Sequence, residues 1–388
     1  MKRLFYFLFV LCTSVMASAQ SPLVATLTHN GNISTFYGAT ALSQAHEAAV
    51  DGDVINLSSG AFKAVDITKR LTIRGAGMDV NSETNTEPTI IQGPFWINKE
   101  TCLRMDASRS YYGKIGSASG SVFENLFHND TIIVLADSLT FNKCRLKSLE
   151  RYRLPSWRLG DSLSDTWIND GLDNSHNYFM RNLSFLDCRI TGRLWIPENA
   201  SVSCYNCIVS YPQYDENAIS SGLSSMDFTN CVISRGKWGM QDFHYSYMKN
   251  CIYVVEEPYE LNNTHTLYNT VCICERYVEG IKEGGKVNRG NILANATNNT
   301  NTQVTGLNSV FTTATSYTDF LNDSEDFQLT PEAQTTYLGT DGTQVGIYGG
   351  AFPFNTKPTG PQITSCSVAN KTSADGKLSV DIVINNGN

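Results

Sequence analysis

The sequence predicts an all-β fold, a single-stranded parallel β-helix in which short strands wind into stacked turns. Three observations carry that prediction. One phrase recurs along the chain: LTFNKCRLKS (Leu139–Ser148), LSFLDCRITG (Leu183–Gly192), VSCYNCIVSY (Val202–Tyr211), MDFTNCVISR (Met226–Arg235), YMKNCIYVVE (Tyr247–Glu256) and LYNTVCICER (Leu267–Arg276). Its marker cysteines, Cys144, Cys188, Cys207, Cys231, Cys251 and Cys272, stand 44, 19, 24, 20 and 21 residues apart, the first step being two turns or one turn with a long insertion. Each copy reads as an alternating strand, a polar turn residue (Asn, Asp or Lys), then Cys and a second alternating strand. A fixed period of this size means stacked repeats, and two strands per period means a coil.

In chain order, Met1–Ala19 has the form of a secretory leader. Lys2 and Arg3 precede the apolar run Leu4–Leu11, and Ala17-Ser18-Ala19 supplies small residues for cleavage. That run is too short to span a bilayer, so the chain is expected to be exported without a membrane span, to the periplasm, the cell surface or the medium. Ser21–Tyr37 reads as a strand or strand pair. Thr40–Val50 places Leu42, Ala45, Ala49 and Val50 on one helical face, and Val54–Phe62 and Asp66–Gly77 are strands. Strand character returns at Thr89–Gln92, Phe95–Asn98, Val122–Phe127 and Thr131–Leu135. Glu150–Arg181, rich in Arg, Asp, Trp and Tyr, breaks the rhythm as a long lateral loop, the kind of segment in which function concentrates. Val304–Pro353 is expected to close the coil. The division is therefore a leader (1–19), a coil (20–354), a linker (355–360) and a C-terminal strand tail (361–388). Twenty-eight residues cannot hold their own core, so the tail is expected to dock on the coil or take a partner chain.

The order of helix, turn Gly52-Asp53 and strands DVINL and KRLTIRGAG resembles the opening of right-handed parallel β-helices of the pectate-lyase-like superfamily, as found in exported bacterial proteins. The resemblance spans roughly Ala41–Ala294 in style. It implies a right-handed coil whose open end is plugged by the N-terminal helix, because an uncapped end exposes apolar core and unpaired strand edge. It implies little about chemistry.

Composition narrows the partners. The formal net charge is −8 and becomes two units more negative once Lys2 and Arg3 leave with the leader. That disfavours nucleic acid and anionic membrane surfaces. Of eleven cysteines, six recur once per turn at one phase. Same-phase thiols one strand apart are expected to point inward and stack as free thiols rather than form a disulfide framework. Cys204 and Cys207 form a CxxC and read as two inward positions flanking a turn. Cys102 and Cys366 stand outside the row. No metal site is expected.

Candidate sites fall on the strand that precedes each phrase. Counting back 11 or 12 residues from each marker cysteine gives Ile133, Ile196, Ile219, Met240 and Leu261 as inward positions. Strand alternation then turns their neighbours outward, among them Ile132 and Val134, Arg193 and Trp195, Gln241 and Glu260, with Lys237 extending the row. Arg193, Trp195, Lys237, Gln241 and Glu260 are thus the candidate substrate-binding set. Trp195 offers a stacking face and Arg193 hydrogen bonds for a sugar. Hydrolysis needs two paired carboxylates, and this row offers only Glu260. A lyase needs a base and a charge neutraliser, and no complete set is present. In the loop, RLPSWRLG (Arg153–Gly160) resembles the Arg-x-Pro-x-x-Arg-x-Gly segment of calcium-dependent pectate lyases, and TWINDGLDNS (Thr166–Ser175) resembles their Trp-Ile-Asp-His segment. The order of the two strings is reversed and Asp170 is followed by Gly171, so only Arg153 and Arg158 are carried over, as uronate binders. Asp170, Asp173 and His176 form a candidate acid/base cluster. The leading expectation is an exported polysaccharide-binding protein without a cofactor. The alternatives are a uronate-cleaving polysaccharide lyase, for which alone calcium would be needed, and a structural or adhesive envelope protein.

Overall fold

The computed structural model describes residues 23–98, 118–151, 180–196, 200–214, 225–235, 246–255, 266–274, 292–294, 307–315, 325–368, 371–373 and 375–387. The leader, Cys102 and most of the lateral loop lie outside this set. The fold is predominantly β, built on two large, mainly parallel sheets. In chain order the first sheet takes β1 (Val24–His29), β2 (Asn32–Tyr37), β3 (Val54–Leu57), β5 (Thr72–Arg74), β8 (Val122–Glu124), β10 (Thr140–Asn142), β12 (Leu183–Leu186), β14 (Ser201–Tyr205), β16 (Ser225–Thr229), β18 (Ser246–Lys249) and β20 (Thr266–Tyr268). The second takes β4 (Gly60–Lys63), β6 (Thr89–Gln92), β9 (Phe127–Val134), β11 (Arg145–Arg151), β13 (Arg189–Ile196), β15 (Ile208–Tyr214), β17 (Val232–Arg235), β19 (Ile252–Val255), β21 (Thr270–Cys274) and β22 (Ile292–Ala294), with β7 (Phe95–Ile97) pairing to β9. From β8 to β21 the chain passes from one sheet to the other at every strand, and each strand pairs in parallel with the one two places on, while β22 closes the second sheet antiparallel to β21. Such an alternation is compatible with a β-helix-like winding.

From β8 onward, one turn chemistry makes each crossing from the first sheet to the second. Asn125, Lys143, Asp187, Asn206, Asn230, Asn250 and Asn269 hold φ between 45° and 58°. This left-handed region suits Asn and Asp among non-glycine residues. Such a residue reverses the chain in one step, and the next residue then points into the core. That next residue is Cys144, Cys188, Cys207, Cys231 and Cys251, each fully buried and free. Their sulfurs are held by backbone. Each Sγ–H faces the carbonyl two residues back, at 3.4, 3.2, 3.1, 3.2 and 3.2 Å, and the sulfurs of Cys207, Cys231 and Cys251 accept from the N–H of the preceding cysteine at 3.4 Å. The last position of this row is Thr270, not Cys272. Thr270 Oγ1 accepts from the Cys251 N–H at 3.4 Å and donates to Met248 O or Tyr268 O at 3.1 and 3.2 Å. A hydroxyl does what the thiols do, so a count made on sulfur alone lands two residues late.

Inward residues of both sheets form one core. Phe123, Phe141 and Phe185 stack with centroids 5.0 and 5.1 Å apart and rings within 15° of parallel, because register-matched side chains in a parallel sheet repeat at the strand spacing. Cys204 follows Phe185 in that register, and Phe228 follows Cys204.

At the start of the chain β1 and β2 form an antiparallel hairpin through Asn30-Gly31, both at positive φ. Helix α1 (Ala41–Ala48) buries Ala41, Leu42 and Ala45 on the common core, joined by Ala49 just beyond its end. Val50 does not share that face. The backbone is already extended at Ala49, and Val50 is 50% exposed. Val54–Phe62 divides into β3 and β4 because Ser58 and Ser59 interrupt it and Gly60 takes φ 111°.

The segment expected to close the coil follows a different course. Residues 327–354, including α2 (Pro331–Thr336), pack Phe327, Leu329, Ala333, Tyr337, Val345, Ile347 and Phe354 against Ile208, Val232, Ile252 and Val271. Those four residues stand in register at or next to the start of β15, β17, β19 and β21, facing away from the inner core. The chain then runs back along the turn row. Thr340 N–H donates to Asn250 Oδ1 at 3.0 Å, and Asn206 Nδ2 donates to Ile347 O and Gly349 O at 2.8 and 3.0 Å. Lys143 Nζ donates to Lys357 O at 2.7 Å, and Thr359 N–H to Asn125 Oδ1 at 3.0 Å. Gly350, at φ 82°, passes so close that a Cβ would stand 2.2 Å from Asn230 Nδ2. Residues 340–360 are thus a strap pinned to the turns, and 355–360, expected as a linker, are its last part. The tail beyond is a two-stranded antiparallel hairpin, β23 (Gly360–Val368) with β24 (Val380–Gly387). Val380, Ile382, Val383 and Ile384 on it are each about half exposed or more.

Candidate functional site

Of the expected site residues, Arg193 and Trp195 lie in the described structure. Arg153, Arg158, Asp170, Asp173, His176, Lys237, Gln241 and Glu260 lie outside the described residues, as do Ile219, Met240 and Leu261. Arg193 and Trp195 sit on the second half of β13, beyond a kink at Thr191-Gly192. The kink comes from register. Between Leu146/Ile190 and Leu149/Leu194 the strand β13 carries one residue more than β11, and likewise one more than β15. An extra residue in one strand bends it and re-aims the side chains beyond the bend. Gly192 is required there, since a Cβ would lie 2.2 Å from Lys147 O.

Beyond the kink, Leu194 and Ile196 are fully buried while Arg193 is exposed and Trp195 half-buried, as alternation predicts. Two strands earlier in the same sheet, on β9, the expected phase is reversed. Ile132 and Val134 are the buried residues and Ile133 turns outward. The backward count crosses loops of variable length. A forward count from the core position after each turn crosses only the kinked strand, and reaches Ile133, Glu150, Trp195 and Gln213 in six or seven steps.

Those four positions form one row. Trp96 pairs with Ile133, Ile133 with Glu150, Glu150 with Trp195, and Trp195 with Gln213. Phe95 and Ile97 are buried on either side of Trp96, so Trp96 also belongs to the outer face. With strands about 4.8 Å apart, the two tryptophans stand about 14 Å apart along the row. Arg193 is held by its N–H, which donates to Ser148 Oγ at 3.2 Å, and its guanidinium lies 5.4 Å from the Trp195 ring centre. Burial pushes the Glu150 carboxyl above its usual range, and the Arg193 charge pulls it back. The row therefore combines two indoles, an aliphatic side chain, and an acceptor–donor pair. The lateral loop leaves the described structure just past Arg151, next to Glu150.

Elsewhere the titratable groups serve the turns. Burial raises Asp187 to about 6 while Lys143, one turn earlier, lowers it, and burial raises Asp137 to about 6 against the pull of Arg181. Cys204 and Cys207 are both buried and free, on the inner side of the wall. Among the described residues no group of three His, Cys, Asp or Glu side chains is placed to hold a metal ion, and no helix is long and apolar enough to cross a membrane. Comparison with protein-family models, curated proteins and solved structures finds no match to this chain.

Proposed function

We propose that this chain is a right-handed, single-stranded parallel β-helix with α1 as its end cap, exported from the cell, and that it binds polysaccharide along the lateral row. The strand-by-strand alternation between two sheets supports the winding. The outer row supports the binding. Trp195, with Glu150 on the neighbouring strand and Arg193 beside it, presents an aromatic face together with an acceptor and a donor. A pyranose has the matching character, with apolar C–H faces and hydroxyls at its edge. Trp96 extends the surface.

Native gels cast with soluble polysaccharides test this directly. The wild-type chain is expected to be retarded by at least one polymer, and Trp195→Ala and Trp96→Ala to migrate faster in the same gel. Equal retardation of all three proteins would remove the row from consideration. The same mixtures, monitored by absorbance of an unsaturated uronate end, decide the lyase alternative.

A further inference from the structure

We propose that the lateral row takes an uncharged glycan and discriminates against uronate polymers, with Glu150 setting that selectivity. The inference rests on the polysaccharide reading above and names the class of sugar.

Glu150 occupies the middle of the row, flanked in register by Ile133 on one strand and Trp195 on the next. A ring stacked on Trp195 and continuing toward Trp96 has to cross it. The carboxyl is half-buried, so its charge is poorly screened by water, and the Arg193 guanidinium is the positive charge that stabilises it. Arg193 is already committed to this arrangement, its backbone fixed by Ser148 Oγ and its guanidinium close to the Trp195 ring. The pair presents no net charge to a ligand. It does present an acceptor and a donor side by side, which match the adjacent hydroxyls of a neutral sugar. One hydroxyl donates to Glu150 and its neighbour accepts from Arg193. A uronate in the same place would set its carboxylate against Glu150 at about one strand spacing. It would have to draw Arg193 away from the group that Arg193 stabilises. Like charges brought together in a partly dehydrated site lower affinity, and the unpaired one is the more costly.

The test uses the full chain and an array of neutral and uronate oligosaccharides, and then titration calorimetry on the best neutral hexasaccharide and on hexagalacturonate and hexamannuronate. Wild type is expected to bind the neutral ligand at least about tenfold more tightly than either uronate. Glu150→Gln keeps the shape and the hydrogen bonds but loses the charge. It is expected to bring the ratio within about threefold, chiefly by gaining uronate affinity, with an unchanged thermal melt confirming the fold. Wild-type preference for uronates overturns the inference while leaving the polysaccharide reading in place. An unchanged ratio in Glu150→Gln overturns the role of Glu150. Absence of binding to any member of the array overturns the polysaccharide reading itself, and the inference with it.

Discussion

Replacing Asn206 separates two roles that one side chain combines. Its backbone sits at φ 50°, and its amide donates to Ile347 O and Gly349 O at 2.8 and 3.0 Å, which ties the C-terminal strap to the turn row. Asn206→Gly removes both hydrogen bonds and leaves the backbone free to keep its conformation. At about 1 kcal/mol for each lost bond, opening of the strap becomes easier by about 2 kcal/mol. Asn206→Ala removes the same bonds but, unlike the glycine variant, keeps a Cβ in the left-handed region without the local polar contacts by which Asn tolerates it, for about 1 kcal/mol more than glycine. That strain is present whether the strap is open or closed, so it affects unfolding of the parallel sheets and not release of the strap. A repeat array need not unfold in one step, so the two events call for separate probes. Hydrogen exchange at the Gly346 and Phe354 amides, which bond to Asn250 O and Ile347 O at 2.8 Å, reports the strap. Exchange there is expected to quicken about thirtyfold in both variants, the equivalent of about 2 kcal/mol. Denaturant unfolding monitored by far-ultraviolet circular dichroism reports the parallel sheets, and the alanine variant is expected to be the less stable by about 1 kcal/mol. Exchange at wild-type rates in Asn206→Gly would show that the strap is not held at this turn. Identical sheet stability in the two variants would show that the turn carries no left-handed strain.

The buried titratable groups give two further expected outcomes. Burial pushes the thiols of Cys144, Cys188, Cys204, Cys207 and Cys231 above the usual value and leaves little thiolate to react. Alkylation of the native chain and mass spectrometry should find these five unmodified, and labelling in denaturant should reach all of them; fast native labelling would place them outside the core. Asp187 has a folded value of about 6 against 3.8 for the free group, so its charge opposes folding above about pH 6, and that opposition is relieved as pH falls from 6 toward 3.8. Asp187→Asn keeps a residue suited to the turn and should reduce the gain in stability over that window to the share contributed by the other carboxyls that burial raises, Asp137, Glu150 and Asp227. A pH profile of unfolding midpoints identical to wild type would exclude Asp187 as the source.

The alternation of strands between two parallel sheets was legible because it is written locally. An alternating strand, an Asn or Asp that accepts the left-handed turn, and a small buried residue after it recur with little variation from Lys143 to Asn250. Thr270 escaped the count because a hydroxyl satisfies the same backbone carbonyls as a thiol. The phenylalanine stack is visible in the sequence as Phe123, Phe141 and Phe185, each two residues before its turn, the position that Cys204 takes one strand further on. The site was legible only in part. Arg193 and Trp195 came directly from alternation within β13. Ile133 came out in the wrong phase because the backward count crosses loops, and Glu150 was counted with the loop although it is still on a strand. Val50 fell off its expected face because α1 ends before it.

Local pattern alone determined the strands, the turns and the inward sulfurs of this chain. Each of these depends on φ, on alternation and on side-chain volume within a few residues. Which outer residues become neighbours was decided by tertiary register, since Trp96 and Glu150 meet the same row only after loops of unrelated length have closed. The strap was decided the same way. Nothing near Asn355–Gly360 announces that its backbone will meet Asn125 and Lys143, more than two hundred residues earlier. Those bonds exist because the turn row leaves side-chain amides and an amine facing outward, and the returning chain supplies carbonyls and N–H groups to satisfy them.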